Sequence, residues 1–168
     1  MSACMNVRHY RPADATAVRN VHDRVVRAVD EWYLPYGVHD VERTFLANGT
    51  FLVVEVRGAV TVRTGPEPSD ERTNRTLVAT GGFLPGEDGT AELAQVRVAP
   101  GYRRRGYARH LVCELEVLAR AEGFERIVGA STPGTGLADL YESLGYREYD
   151  RDHLLAQDLR ISWYKKLL

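Results

Sequence analysis

Cysteine is scarce in this chain, and long runs of apolar residues are absent. Only Cys4 and Cys113 occur among 168 residues, so the sequence indicates no disulfide framework. No apolar stretch is long enough to cross a membrane, and no charged and then apolar signal segment stands at the start. The 5 histidines lack metal-ligand spacing, so we predict no metal. Cytoplasm is therefore the expected location.

An excess of charge of either sign is also missing. The formal net charge is -1, which argues against a general binder of nucleic acid or other polyanions, and no membrane partner is expected. A dinucleotide-binding motif of the Gly-x-Gly-x-x-Gly type is absent as well. A hydrophobic share of 44% with mixed charges indicates a globular protein, and 168 residues fit one domain, spanning 1–168.

The clearest local signal is a strand, a turn and a helix in the second half of the chain. Residues 91–98 alternate small or apolar side chains with polar ones, which predicts a strand that Pro100 and Gly101 end. From Tyr107 onward, apolar residues recur at spacings of three and four, which predicts a helix ending at Gly123.

The turn before this helix has the composition of an anion-binding site. Arg103, Arg104 and Arg105 supply charge and fork-shaped donors, and Gly106 lets a ligand approach the backbone closely. A helix start adds unpaired N–H groups and about half a positive charge. A pyrophosphate would fit this cradle. The alternative is a solvated basic turn ahead of an ordinary helix.

The segment Val98-x-Pro100-x-x-Arg103-Arg104-x-Gly106-x-Ala108 resembles the acyl-CoA-binding motif of the GNAT superfamily of N-acyltransferases. The resemblance extends through residues 127–146, and the order of predicted elements (β, α, α, three antiparallel strands, α, β, α, β, β) also agrees with it. It implies an α+β fold with a mixed, mostly antiparallel sheet of about six or seven strands and about four helices. The sheet would be splayed between its fourth and fifth strands.

The resemblance also implies a reaction, in which an acetyl group moves from acetyl-CoA to a primary amine by direct attack in a ternary complex. An acyl-CoA-binding sensor without turnover is the alternative. The pantetheine arm would bond to backbone groups of the fourth strand, and the pyrophosphate would bind the turn. The cofactor-binding residues would be Val96, Arg97, Val98, Arg103, Arg104, Arg105, Gly106, Tyr107 and Ala108.

Glu92 and Tyr141 are the catalytic residues that the resemblance implies. Glu92 lies on the predicted strand and would deprotonate the amine, directly or through water. Tyr141, in Leu140-Tyr141-Glu142-Ser143-Leu144-Gly145-Tyr146, resembles the family tyrosine that faces the CoA sulfur. The alternatives are an exposed strand glutamate and an aromatic residue packed on its helix. An Asn that often contacts the cofactor in this region is absent from the loop 132–136.

The acceptor is expected to be a small-molecule or peptide amine. In this superfamily its site is built by the first two helices and the last hairpin, here residues 30–36, Phe83 and the predicted polar loop near His153. Acidic and aromatic side chains together suit a cationic amine. Trp32 could instead be a core anchor at the end of its helix. The sequence leaves open the acyl length and whether the protein is a homodimer.

Overall fold

Seven strands form one mixed sheet in the order β1-β2-β3-β4-β5-β7-β6. The computed structural model describes residues 5–29, 40–57, 75–155 and 158–168. The strands are β1 (Met5–His9), β2 (Thr50–Arg57), β3 (Arg75–Pro85), β4 (Thr90–Val98), β5 (Arg126–Ser131), β6 (Arg147–Leu154) and β7 (Leu159–Leu167). The helices are α1 (Ala15–Val29), a π-helical turn (Glu42–Leu46), α2 (Tyr107–Ala121) and α3 (Leu137–Ser143). This is the α+β class that the sequence predicts.

The sheet is covered on both faces, and alternate residues of β2 enter two separate cores. Val54 packs on the face that α2 and α3 cover, with Leu111 of α2 and Tyr141 of α3. Phe51 packs on the opposite face with Val18 of α1. We call these the α2/α3 face and the α1 face. The alternation follows from the two-residue period of a strand, which explains why β2 is apolar at almost every position.

Strands β4 and β5 form the one parallel pair of this sheet, and they pair over only three positions. The last pair joins Glu92 to Val128, although β4 continues to Val98. Just beyond that pair, β4 carries a bulge opposite Gly81, where Gln95 has φ 58°. A bulge bends its strand and strengthens the local twist. Gly81 and Gly82 predict a bulge or the close approach of another backbone. The extra residue of the bulge lies in β4, and the backbone of β2 approaches Gly82 closely.

The C-terminal hairpin differs from its predicted form. Residues 151–153 are predicted to lie in a polar loop, and they belong instead to β6. This strand is at the edge of the sheet and is largely exposed, so polar side chains are tolerated and no apolar pattern marks it. The polar segment 65–76 is predicted to be a hairpin tip, but its last two residues belong to β3. The rest of that segment, 65–74, and the predicted acceptor residues 30–36 lie outside the described residues.

None of the helices in the described ranges is both long enough and apolar enough to cross a membrane.

Gly82 is required by close packing between β2 and β3. A Cβ atom at this position would lie 2.3 Å from the Thr50 carbonyl oxygen and 2.9 Å from Cδ2 of Phe51. Because the nearest group is backbone, Gly82→Ala should lower the free energy of unfolding by about 1–3 kcal/mol in chemical denaturation. Gly101→Ala, where no atom lies within 4 Å, is the control and should be close to wild type. Equal stability of the two variants would contradict this packing.

Candidate active site

A cavity of about 690 Å³ lies where β4 and β5 separate. Glu92 marks the point of separation, and residues 93–98 of β4 form one wall of the cavity. The start of α2 and the residues 135–141 at the start of α3 close it on one side, and Val25 of α1 reaches it from the other. The cavity is therefore accessible from both faces of the sheet.

The turn before α2 contains two residues in the left-handed backbone conformation. Gly106 precedes the helix with φ 84°, and Arg104 is also left-handed, with φ 63°. A Cβ atom at Gly106 would have only the His110 ring nearby, at 3.7 Å, so the glycine is needed for its φ and leaves open space beside it. The 15-residue helix α2 begins here, with its first N–H groups unpaired within the helix.

Most of the predicted cofactor-binding residues line this cavity. They are Val96, Arg97, Val98, Arg103, Arg104, Gly106, Tyr107 and Ala108. Arg103 is fixed by its Nε, which donates to the Val98 carbonyl at 3.2 Å and so ties the turn to the end of β4. Arg105 does not line the cavity, and its guanidinium lies 5.6 Å from the centre of the Tyr102 ring.

Arg109 is a basic lining residue that the motif does not include. It lies in the first turn of α2, and its guanidinium donates to the Ser143 hydroxyl at 2.8 Å, which connects α2 to α3 across the cavity. The sequence holds a signal for Arg109, because it follows Gly106 by three residues and residues three or four apart share a face of a helix.

Arg97 lines the cavity in a different way from the turn. Its register partner in β3 is Thr80, which pairs with Val53 of the α1-face core, so the Arg97 side chain lies on the α1 face. The side chain is buried, and its Nε donates to Oε1 of Gln95 at 3.0 Å. A bond from the cofactor to position 97 would therefore use its backbone.

Glu92 lies on the α1 face of the sheet. Its neighbour in β3 is Leu84, which packs in the α1-face core, and its Oε1 would be 2.7 Å from a Cβ atom at Gly86. The residue is half-buried and lines the cavity. A carboxylate here can accept a proton from a group that approaches through the α1 face.

Tyr141 lies on the α2/α3 face and is almost fully buried. Its ring packs between Tyr146 and Tyr164, and its hydroxyl lies over Gly129, where a Cβ atom would be 2.7 Å from the hydroxyl oxygen. Burial raises the pKa of the Tyr141 phenol well above its ordinary value. The hydroxyl therefore keeps its proton near neutral pH and can act as a hydrogen-bond donor toward the cavity.

The two predicted catalytic residues thus approach the cavity from opposite faces of the sheet. Glu92 pairs with Val128 of β5, whereas Tyr141 packs over the next residue, Gly129. Successive residues of a strand point to opposite faces, so the two side chains flank the gap at nearly the same height along β5. A group held in the gap would meet a carboxylate on one side and a phenol on the other.

The predicted acceptor residues are placed differently. Phe83 is fully buried in the core of the α2/α3 face and does not line the cavity. His153 lies beside Asp158 and lines a second, neighbouring cavity. The structure adds Ile161 and Trp163 of β7, which line the main cavity and which the sequence pattern did not indicate.

The chain matches the model of the acetyltransferase (GNAT) family over residues 30–146, which is more than half of its length. It therefore belongs to the GNAT acetyltransferase family, as the motif around Gly106 indicated. In sequence it is similar to CgeE of Bacillus subtilis (strain 168), an uncharacterized N-acetyltransferase. The two are 33% identical over 73 residues, covering 42% of this chain and 27% of the relative, so the match spans about a quarter of that relative's length.

Solved structures of the family share the fold. An acetyltransferase of Staphylococcus aureus Mu50 aligns with a TM-score of 0.71 at 15% identity, covering 98% of this chain and 99% of that one. An acetyltransferase of Streptococcus agalactiae 2603 gives 0.71 at 20% identity, with 98% of each chain covered. The structure of yncA from Salmonella typhimurium with its cofactor acetyl-CoA gives 0.71 at 18% identity, covering 98% of this chain and 94% of that one.

Proposed function

We propose that this protein transfers an acetyl group from acetyl-CoA to a primary amine, by direct attack of the amine on the thioester in a ternary complex. The observation that supports this most strongly is the gap between β4 and β5, which is lined by a carboxylate on one face and a phenol on the other. The basic turn before α2, which would bind the pyrophosphate, lies at the same cavity. Binding of an acyl donor, deprotonation and thiol release each have a matching group.

The residues present fit acetyl-CoA. Its pyrophosphate would bind the backbone N–H groups from Arg104 to Ala108, with Arg103, Arg104 and Arg109 supplying positive charge. Its pantetheine arm would lie along β4, whose edge is unpaired with β5 beyond Glu92. Bound in this way, acetyl-CoA supplies an activated acyl group. Arg105, which stacks on Tyr102, would contribute only to the surrounding positive potential.

Glu92 would act as the general base. The carboxylate lies on the α1 face, where it would take a proton from the incoming ammonium group, directly or through one water. The freed lone pair would then attack the carbonyl carbon and form the amide C–N bond as the C–S bond breaks. Glu92 would pass this proton to solvent, and the nitrogen would lose its second proton to solvent as the thiolate leaves and the neutral amide forms.

Tyr141 would stabilise the leaving thiolate on the other face. The phenol pKa is raised by burial, so complete proton transfer to a thiolate of ordinary pKa about 8.5 is unfavourable. We therefore assign it a hydrogen bond to the sulfur, with the final proton coming from solvent. This is a narrower role than that of a general acid, and its effect on rate should be smaller.

Gly106→Glu should abolish binding of CoA, because it places a side chain and a negative charge where the phosphates would bind. Gly123→Glu is the matched control, since Gly123 also has a positive φ, of 89°, but lies beyond the opposite end of α2. Isothermal titration calorimetry with CoA should show no binding to the first variant and wild-type affinity for the second. Equal affinities would contradict the assignment of the turn.

Glu92→Gln should lower kcat about 10²-fold or more, because the amide keeps the shape of the side chain but cannot accept the proton. Affinity for CoA should be retained. Glu87→Gln, an exposed residue in the preceding turn, is the control and should turn over like wild type. The turnover of both variants is measured as release of free thiol from acetyl-CoA with a panel of amines. Wild-type turnover of Glu92→Gln would show that the amine loses its proton elsewhere. If the wild-type protein released no thiol with any amine of the panel, the result would favour an acyl-CoA-binding sensor.

Tyr141→Phe should lower kcat about 10–100-fold with little change in thermal stability, since only the hydroxyl is lost. Gly129→Ala tests the position of the Tyr141 phenol from the side of β5, without changing Tyr141 itself. Its Cβ atom would lie 2.6 Å from Cζ of Tyr141, so it should displace the phenol and also lower kcat. Loss of stability with full activity in Tyr141→Phe would make the residue structural.

A further inference from the structure

Aromatic and acidic side chains lie on the α1 face of the last hairpin, formed by β6 and β7, next to Glu92. Trp163 of β7 is in register with Ala130 of β5 and with Asp150 of β6, and Ile161 is in register with Asp152. Paired residues of adjacent strands point to the same face. Because Glu92 and Val128 also share this face, it continues from the predicted base to the edge of the sheet.

Trp163 is held in place by an acidic partner. Its indole Nε1 donates to Oδ2 of Asp152 at 2.8 Å, and Trp163 lines the cavity that contains Glu92. Asp152 lines the adjoining cavity, which shares Ile161 as a wall. A carboxylate that accepts a hydrogen bond from the indole N–H makes the aromatic ring more electron-rich, and an indole is the aromatic group that binds cations best.

Tyr149 lies among the carboxylates of the same face. It is the extra residue of a bulge in β6, and its side chain is 45% exposed. The pKa of its phenol is raised, first by partial burial and then by the negative charges of Asp150, Glu92 and Asp152. Those three carboxylates therefore act on one point of this face.

The face already holds cations of the protein itself, one of which is Arg97, buried beside Gln95. Nζ of Lys165 lies 4.9 Å from the centre of the Tyr149 ring. Arg147, in register with Lys165, adds a second positive charge toward the far end of the hairpin. Trp163 is in register with Asp150 and donates a hydrogen bond to Asp152, so its direct partners in β6 are both negatively charged.

We propose that the acceptor is an amine with a second positive charge, and that Trp163 and Asp152 bind that second charge while the first amine reacts near Glu92. Strand spacing places the Cα atoms of Glu92 and Trp163 about 12 Å apart, and both side chains reach into the cavity between them. An aliphatic diamine has the matching chemistry. This inference rests on the proposed acetyl transfer and specifies its substrate class.

The test compares 1,4-diaminobutane with n-butylamine, which has the same length and lacks the second charge. Wild-type kcat/KM should be at least tenfold higher for the diamine. Asp152→Asn and Trp163→Leu should raise the diamine KM about three- to tenfold at nearly constant kcat, and the KM of n-butylamine, which has no second charge, should change much less. Asp158→Asn, an exposed aspartate of the same hairpin that lines neither cavity, is the control and should behave like wild type.

Calorimetry of the diamine with the CoA-bound protein gives a second readout, in which the same two variants should bind more weakly. Trp163→Phe keeps an aromatic ring and serves if Trp163→Leu does not fold. Equal kcat/KM for the two amines, or diamine kinetics unaffected by Asp152→Asn and by both Trp163 variants, would overturn this inference and leave the proposed function intact. Failure to acetylate any amine would instead overturn the proposed function, and the substrate class with it.

Discussion

Strands β4 and β5 are joined by only three register pairs, and the arrangement of the candidate site depends on that short pairing. Beyond Glu92 and Val128 the strands separate, and the bulge at Gln95 bends β4 at this point. The separation leaves backbone N–H and C=O groups at the facing edges without strand partners. An unsatisfied buried backbone group costs about 1–3 kcal/mol, so such a gap is stable only when water or a ligand bonds to it. A pantetheine arm, with its own amides, suits this edge.

The same gap explains how one site can keep the proposed base apart from the group that would stabilise the thiolate. The α1 face carries Glu92, and the α2/α3 face carries Tyr141, so the amine and the thiolate would be handled on opposite sides of one sheet. Their environments differ accordingly. Glu92 is half-buried and open to an incoming polar group, whereas Tyr141 is enclosed by Tyr146 and Tyr164 and keeps its proton. In the proposed function, burial makes Tyr141 a donor of a hydrogen bond rather than of a proton.

Local sequence patterns predict much of the fold, and they also predict the part of the candidate site that is contiguous in sequence, the turn before α2. The turn with Gly106 and the stripe of α2 are local, because φ preferences and a 3.6-residue period act over a few residues. Trp163 and Tyr149 could not be found in this way, since their closeness to Glu92 depends on strand order and on a bulge in β6. Phe83 is a predicted acceptor residue, but strand parity places it in the core of the α2/α3 face, opposite Glu92. The edge strand β6 resembles a loop because both of its faces are exposed.

Hydrogen–deuterium exchange with and without acetyl-CoA tests most directly whether the gap between β4 and β5 binds the acyl donor. Binding through the gap should slow exchange in two separate segments, the turn 104–108 and residues 94–98 of β4, which pair with β3 but not with β5. Strands β1 and β2, which pair fully and lie away from the cavity, should exchange at unchanged rates. Protection confined to 104–108, with 94–98 exchanging as in the free protein, would mean that the nucleotide binds while the gap does not receive the pantetheine arm. That result would contradict the assignment of Glu92 and Tyr141 to opposite sides of the reacting thioester.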